Sequence, residues 1–234
     1  MMEARQARRD RQQEPSAAEA LRLTVRGLTR QIVAGSEVVR DGERTQVVVA
    51  VLAGLVRCVR TTPDGRRFLS RFARRGDVIG LGASGCSHGA IETVSDSSVY
   101  IMTAGDVRRE FEANAATRQI IMKAIADEGT VRERAQFRTT RLKAAERVAD
   151  FLLELADIPE TADGRFKIVR MPRSDMADHL GLTIETVSRA LRKFQREGMV
   201  RMTDPHHFQV VSDAALMVLA GEVGPDADPN IGHE

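Results

Sequence analysis

One stretch limits what this chain can fold into more than any other: Met171-Pro-Arg-Ser-Asp-Met-Ala-Asp-His-Leu-Gly-Leu-Thr-Ile-Glu-Thr-Val-Ser-Arg-Ala-Leu-Arg-Lys-Phe-Gln-Arg-Glu-Gly198. Ser174 is placed to cap a short helix running through Leu180. Gly181 can adopt the positive φ that a sharp turn between two helices requires. Thr183 is placed to cap the next helix, and Glu185 falls in its first turn, where a negative charge suits the helix dipole. That helix runs to about Glu197 and is ended by Gly198. Its two sides separate: Val187, Ala190, Leu191 and Phe194 share one, and Glu185, Ser188, Arg189 and Arg192 share the other. Small Ala177 lets the two helices approach closely. The spacing predicts a helix-turn-helix with its second helix free to enter a groove.

The outward side carries chemistry suited to base edges. Arginine can bind the O6 and N7 acceptors of guanine with two parallel hydrogen bonds, and glutamate can accept from the N4 amino group of cytosine. Serine can pair with either kind of edge. Thr183 and Thr186, at the helix N-terminus, are placed to hold phosphates beside backbone N–H groups. Five basic residues and one acid (Glu197) lie between Ser188 and Arg201, a local excess where double-stranded DNA would sit. The alternative is a solvated helix with ion pairs such as Glu185–Arg189. The turn glycine, the caps and the preceding helix favour DNA. Beyond Gly198, residues 199–202 and 208–211 flank Thr203-Asp-Pro-His-His207 and predict a β-hairpin wing. Its two histidines would lie at a solvated tip.

The rest of the chain divides into two regimes. From about residue 30 to 104, short strand candidates are punctuated by Gly, Pro and Asp: the β-branched 46–52, then 55–60, the Pro63-Asp64-Gly65 turn, 68–72, Val78-Ile79 and 98–102. That punctuation predicts a barrel or sandwich. Helical spacing follows, with Phe111 in a short helix and a long helix over about 116–137. Ile121, Ile125 and Glu128 lie on its stripe, which needs cover from a second copy of the chain, from its own barrel, or from both. Ala145, Val148, Ala149, Leu152 and Leu155 mark a further amphipathic helix over 142–156. Residues 1 to about 20 are polar and read as a mobile arm.

Composition removes several classes. The longest run of apolar residues and glycine, Val47 to Val56, is about half the length of a membrane helix, and the N-terminus is charged where a secretory signal would be apolar. Cys58 and Cys86 are the only cysteines, which leaves no disulfide framework and points to the cytoplasm. Net charge is only +2. Of 35 basic residues, four are lysines and 31 arginines. That bias fits phosphate recognition and equally a GC-rich genome.

These features together resemble the Crp/Fnr superfamily of bacterial transcription regulators over about residues 25–216, in the turn-rich barrel, Arg75-Gly76-Asp77-Val78-Ile79-Gly80, the long helix and the helix-turn-helix. Leu180-Gly-Leu-Thr-Ile-Glu-Thr-Val-Ser-Arg189 is similar to the recognition segment of the Fnr and FixK branches, whose Glu-x-x-Ser-Arg is met by Glu185, Ser188 and Arg189. Cyclic-AMP receptors carry arginine before that glutamate and glycine in place of the serine; here Ile184 and Ser188 stand there. The resemblance implies an α+β fold. Its parts are an arm (1–20), a jelly-roll β-barrel (21–112), a dimerisation helix (113–138), a winged helix-turn-helix (139–218) and a tail (219–234).

It also implies a homodimer reading an inverted repeat like TTGAT-N4-ATCAA, activation through RNA polymerase, and a place in the response to low oxygen, including nitrogen fixation. No arginine lies between Arg75 and Arg108, so this loop offers no cation to a cyclic phosphate. Residues 1–57 contain no cysteine, which excludes the iron–sulfur cluster of oxygen-sensing Fnr proteins. The reading is therefore FixK-like and free of cofactor, with control through abundance or thiol state. The alternative keeps the DNA module and gives the barrel a ligand, a haem-bound gas or a redox signal, for which Cys86 and His88 are the candidates. An enzyme is disfavoured, because the barrel region holds one histidine where catalytic jelly rolls need a His/Glu metal set.

Overall fold

A computed structural model describes residues 16–41, 46–81, 89–156, 167–204 and 207–221. Cys86, His88 and His206 lie outside them. The chain folds as two compact units, Met1–Thr130 and Val131–Glu234.

Among the described residues of the first unit, eight strands form two antiparallel sheets. One has the order β1 (Gly27–Ile32), β8 (Ser97–Thr103), β3 (Val47–Ala53), β6 (Val78–Ile79). The other has the order β2 (Glu37–Val39), β7 (Ala90–Thr93), β4 (Leu55–Thr61), β5 (Arg67–Arg74). Strand β3 shows why its sequence is an unbroken apolar run rather than an alternation. Val49 and Val51 point into the space between the sheets, against Val56, Ile91 and Val99. Val48 and Ala50 point the opposite way, into a second core with Tyr100 and Met102 of β8. A strand buried on both faces needs apolar residues at every position. Helices cover that second face: α1 (Ala17–Thr24), α2 (Ala104–Ala113) and the start of α3 (Ala115–Arg141) contribute Leu21, Val107 and Ile121 to it.

Helix α1 corrects the expected mobile arm at residues 17–20. Ser16 caps it, accepting from the Glu19 backbone N–H at 3.3 Å while Glu19 accepts from the Ser16 backbone N–H at 3.2 Å. Arg75 Nη2 donates to Glu19 Oε1 at 2.8 Å, and the Ala18 N–H donates to the Gly76 carbonyl at 3.3 Å. The Tyr100 hydroxyl donates to the Val25 carbonyl at 2.8 Å just beyond the helix. The helix is thus pinned at both ends. Cys58, expected to be packed in a strand, lies in β4 opposite Arg71 and Ile91. Burial pushes its thiol up to about 11, so it stays protonated near neutral pH.

The second unit contains the end of α3, then α4 (Ala144–Ala156), β9 (Lys167–Arg170), α5 (Arg173–Leu180), α6 (Ile184–Arg196), β10 (Val200–Asp204), β11 (His207–Val210) and α7 (Asp213–Ala220). The expected two-stranded wing is a three-stranded antiparallel sheet of order β10-β11-β9, with Val169 opposite Phe208. The expected amphipathic face of α4 is buried at Val148, Ala149, Leu152 and Leu155. Among the described residues no helix is long and apolar enough to cross a membrane.

Leu21 is fully buried, whereas Leu23, two residues on, is 78% exposed. Leu21→Ala should therefore lower unfolding free energy by about 2–4 kcal/mol, and Leu23→Ala by less than about 0.5 kcal/mol. Urea titration of both variants checks this; equal effects would mean that α1 is not part of the core.

Candidate nucleic-acid interface

The site is assembled from α5, the turn after it, α6 and the hairpin. Helix α5 begins one residue earlier than expected, at Arg173, with Pro172 as its N-cap. Ser174 is therefore not the cap. Pro172 fixes its own φ at −63° and offers its carbonyl to the N–H groups of Asp175 (3.1 Å) and Met176 (3.3 Å), so the helix starts without a side-chain cap. Ser174 sits half-buried in the first turn.

Gly181 ends α5 at φ 62°, ψ 41°. A Cβ there would meet nothing within 4 Å, so the requirement for glycine is in the backbone and not in packing. The Leu182 N–H returns to the Ala177 carbonyl at 3.0 Å. Arg147 of α4 supports the same turn from below, its Nη1 donating to the Leu180 carbonyl at 3.2 Å and its Nε to the Leu142 carbonyl at 2.8 Å.

Thr183 caps α6 as expected, its Oγ1 accepting from the Thr186 N–H at 3.2 Å. Val187, Ala190, Leu191 and Phe194 are all buried. Burying that side leaves Glu185, Arg189 and Arg192 exposed and Ser188 half-exposed on the other. The four recur at the i, i+3, i+4, i+7 spacing of a single helix face. The Glu185 carboxyl is held below the usual carboxylate range, chiefly by its own backbone N–H at the open helix end, then by the Thr183 hydroxyl and the Arg189 cation. At its other end α6 is tied to the hairpin: the Met199 N–H donates to the Phe194 carbonyl at 2.9 Å, and the Met199 carbonyl accepts from Val211 at 2.8 Å.

One residue here was missed in the sequence. Arg173 Nη1 donates to the Ser188 hydroxyl at 3.3 Å, and Nη2 approaches the Met202 sulfur of β10 at 3.6 Å. Nothing in local spacing marks it, because its partners lie 15 and 29 residues away.

The residues expected at a dimer face part company. Ile121 is 4% exposed and packs into its own unit's core with Leu21 and Val107. The Glu128 carboxylate lies 3.8 Å from Arg71 Nη1 of β5. Both therefore turn toward their own barrel, because residues seven apart fall on one helix face. Ile125 is 42% exposed and Met122 55%.

Residues 29–114 match the cyclic nucleotide-binding domain family, and residues 146–219 match the Crp-like helix-turn-helix domain family. The chain is 30% identical over 186 residues to the nitrogen fixation regulation protein FixK of Rhizobium meliloti, spanning 79% of this chain and 83% of that protein. It belongs to the Crp/Fnr family. A FixK protein of Bradyrhizobium diazoefficiens is 33% identical over 173 residues, 71% of either chain. The solved structure of FixK2 from Bradyrhizobium japonicum superposes with a TM-score of 0.75 at 28% identity, covering 83% of this chain and 98% of that one. The family is one of DNA-binding transcription regulators, and α5, the Gly181 turn and α6 fall inside the matched helix-turn-helix domain.

The positive φ at Gly181 gives a direct check on the turn. Gly181→Ala should cost about 1–2 kcal/mol and Gly181→Asn less, since asparagine tolerates the left-handed region. Thermal melts of the two variants decide it; no loss in the alanine variant would mean that the turn relaxes to a negative φ.

Proposed function

We propose that this Crp/Fnr protein is a cytoplasmic homodimer that reads an inverted repeat like TTGAT-N4-ATCAA and activates transcription by contact with RNA polymerase. It acts without a cyclic nucleotide, in the response to low oxygen, including nitrogen fixation. The observation that carries this reading is the exposed face Glu185, Ser188, Arg189, Arg192 on α6, set over a fully buried seam. Arg189 has the fork for guanine and Glu185 the acceptor for cytosine N4. Thr183, Thr186 and the first-turn N–H groups of α6 provide phosphate contacts. The similarity to regulators named for nitrogen fixation supports the physiological part. The lack of arginine between Arg75 and Arg108 supports independence from cyclic nucleotide.

The dimer face falls on the exposed side of α3, at Met122 and Ile125, where a Cβ added at Gly129 would also meet open space. Two such helices would bury these side chains against each other and set the recognition helices about one DNA turn apart.

One feature favours the alternative of a ligand in the barrel. Arg71 Nε and Nη1 are buried without a hydrogen-bond partner among the described residues, and the carboxylates of Asp77 and Glu128 stand 3.7 and 3.8 Å from its guanidinium. A small polar molecule could fill that gap. Native mass spectrometry and the absorption spectrum of the purified protein would reveal it.

Fluorescence anisotropy at physiological salt tests the main reading. The inverted repeat should bind at least about a thousandfold more tightly than a scrambled duplex. Arg189→Ala should cost about 1–3 kcal/mol on the repeat and relax discrimination at one base pair. Equal losses on both duplexes would make Arg189 a phosphate contact only. Ile125→Glu should give a monomer by light scattering and lose operator binding; a dimeric variant would remove Ile125 from the interface.

A further inference from the structure

Arg173 stands where three parts of the reading head meet. It is the first residue of α5, its Nη1 reaches Ser188 on the outward face of α6, and its Nη2 reaches Met202 on β10. Its Nε is buried with no hydrogen-bond partner among the described residues. A guanidinium is planar and rigid, so two contacts at its ends fix the plane and hold both partners at once. The orphaned Nε is the cost of that placement: the group is held by its ends at the expense of its middle.

We propose that Arg173 is a specificity-determining positioning residue. It orients the Ser188 hydroxyl toward DNA and locks β10 of the wing to the recognition helix. A serine hydroxyl is otherwise free to rotate and can either donate or accept. With an arginine N–H donating to its oxygen, one lone pair is occupied and its hydrogen is directed away from Arg173. Ser188 then presents itself as a donor, and an acceptor on a base edge is the partner it selects. This inference rests on the reading of α6 as the recognition helix.

A double-mutant cycle on the full-length protein tests it, using anisotropy with the inverted repeat, a scrambled duplex and repeats carrying single base-pair changes. Arg173→Lys keeps the charge and replaces the fork by one ammonium, which cannot hold Ser188 and Met202 together. Ser188→Ala removes the positioned group. Each single variant should lower discrimination at the same base pair by about tenfold, with little change on scrambled DNA. The double variant should lose no more than either single one, because both remove the same contact.

Losses that multiply in the double variant would overturn the proposal. So would a uniform loss on operator and scrambled DNA with a salt slope smaller by about one, the mark of a phosphate contact. Unchanged discrimination in Ser188→Ala, with the wild type still selective, would overturn it as well, since nothing would then be positioned. Failure of the recognition-helix reading looks different: the wild type itself would not separate any of the duplexes. Arg173→Gln provides a second variant without the cation, and thermal melts confirm that each variant is folded.

Discussion

The guanidinium of Arg138 is the constraint on which the DNA-binding unit depends. It lies in the last turns of α3 and is 1% exposed. Its Nε donates to Asp150 and its Nη2 to Glu154, both on α4. Its Nη1 lies 3.3 Å from His179 Nε2 on α5, and its carbon sits 5.5 Å from the centre of the Phe151 ring. Arg134 adds bonds of 2.7 and 3.1 Å to Oδ1, the other oxygen of the same Asp150 carboxylate. A buried cation is tolerable only when such partners replace water, and removing one partner leaves the others uncompensated. Three helices are therefore held by one side chain whose geometry is rigid. Arginine can only donate, so in this contact His179 Nε2 is the accepting nitrogen.

From that hub the order passes along the backbone to the reading face. Arg138 fixes α5 through His179, Arg147 fixes the end of α5 through the Leu180 carbonyl, and the left-handed Gly181 redirects the chain into α6. The buried seam of α6 then decides which side faces out. Those last steps are local, and they were legible in the sequence. A cap, a glycine and an apolar stripe of period 3.6 act over a few residues, so Thr183, Gly181, Gly198 and the Glu185–Arg192 face could be placed in advance. The central strands were legible for a related reason: β3, β4, β6 and β8 are rich in β-branched residues, β5 carries Phe68, Leu69 and Phe72, and turn residues lie near their ends.

What was not legible depends on distant parts of the chain. Helix α1 has only Ala18 and Leu21 fully buried on its inner face, too short a pattern to announce itself; its stability comes from the barrel and from Arg75. Strand β9 exists by pairing with β11, and β1, β2 and β7 are short stretches completed by neighbours. The start of α5 was misassigned because Ser174 is a residue type that caps helices, whereas the Pro172 carbonyl does that work. The stripe of α3 showed that the helix has two faces and not which one meets the barrel. Ile121 and Glu128 took the inner side, leaving Met122 and Ile125 outside. Arg173 was invisible because it matters only through side chains brought to it by the fold.

The charge state of the reading face is settled by the same local geometry. A lowered carboxyl pKa in Glu185 means that the folded state favours the ionised form. Whatever stability this contributes is present above the unfolded pKa and is lost only as pH falls through the folded one. A carboxyl lowered from its ordinary value stays ionised at neutral pH. The Glu185 carboxylate therefore keeps its acceptor character over the physiological range.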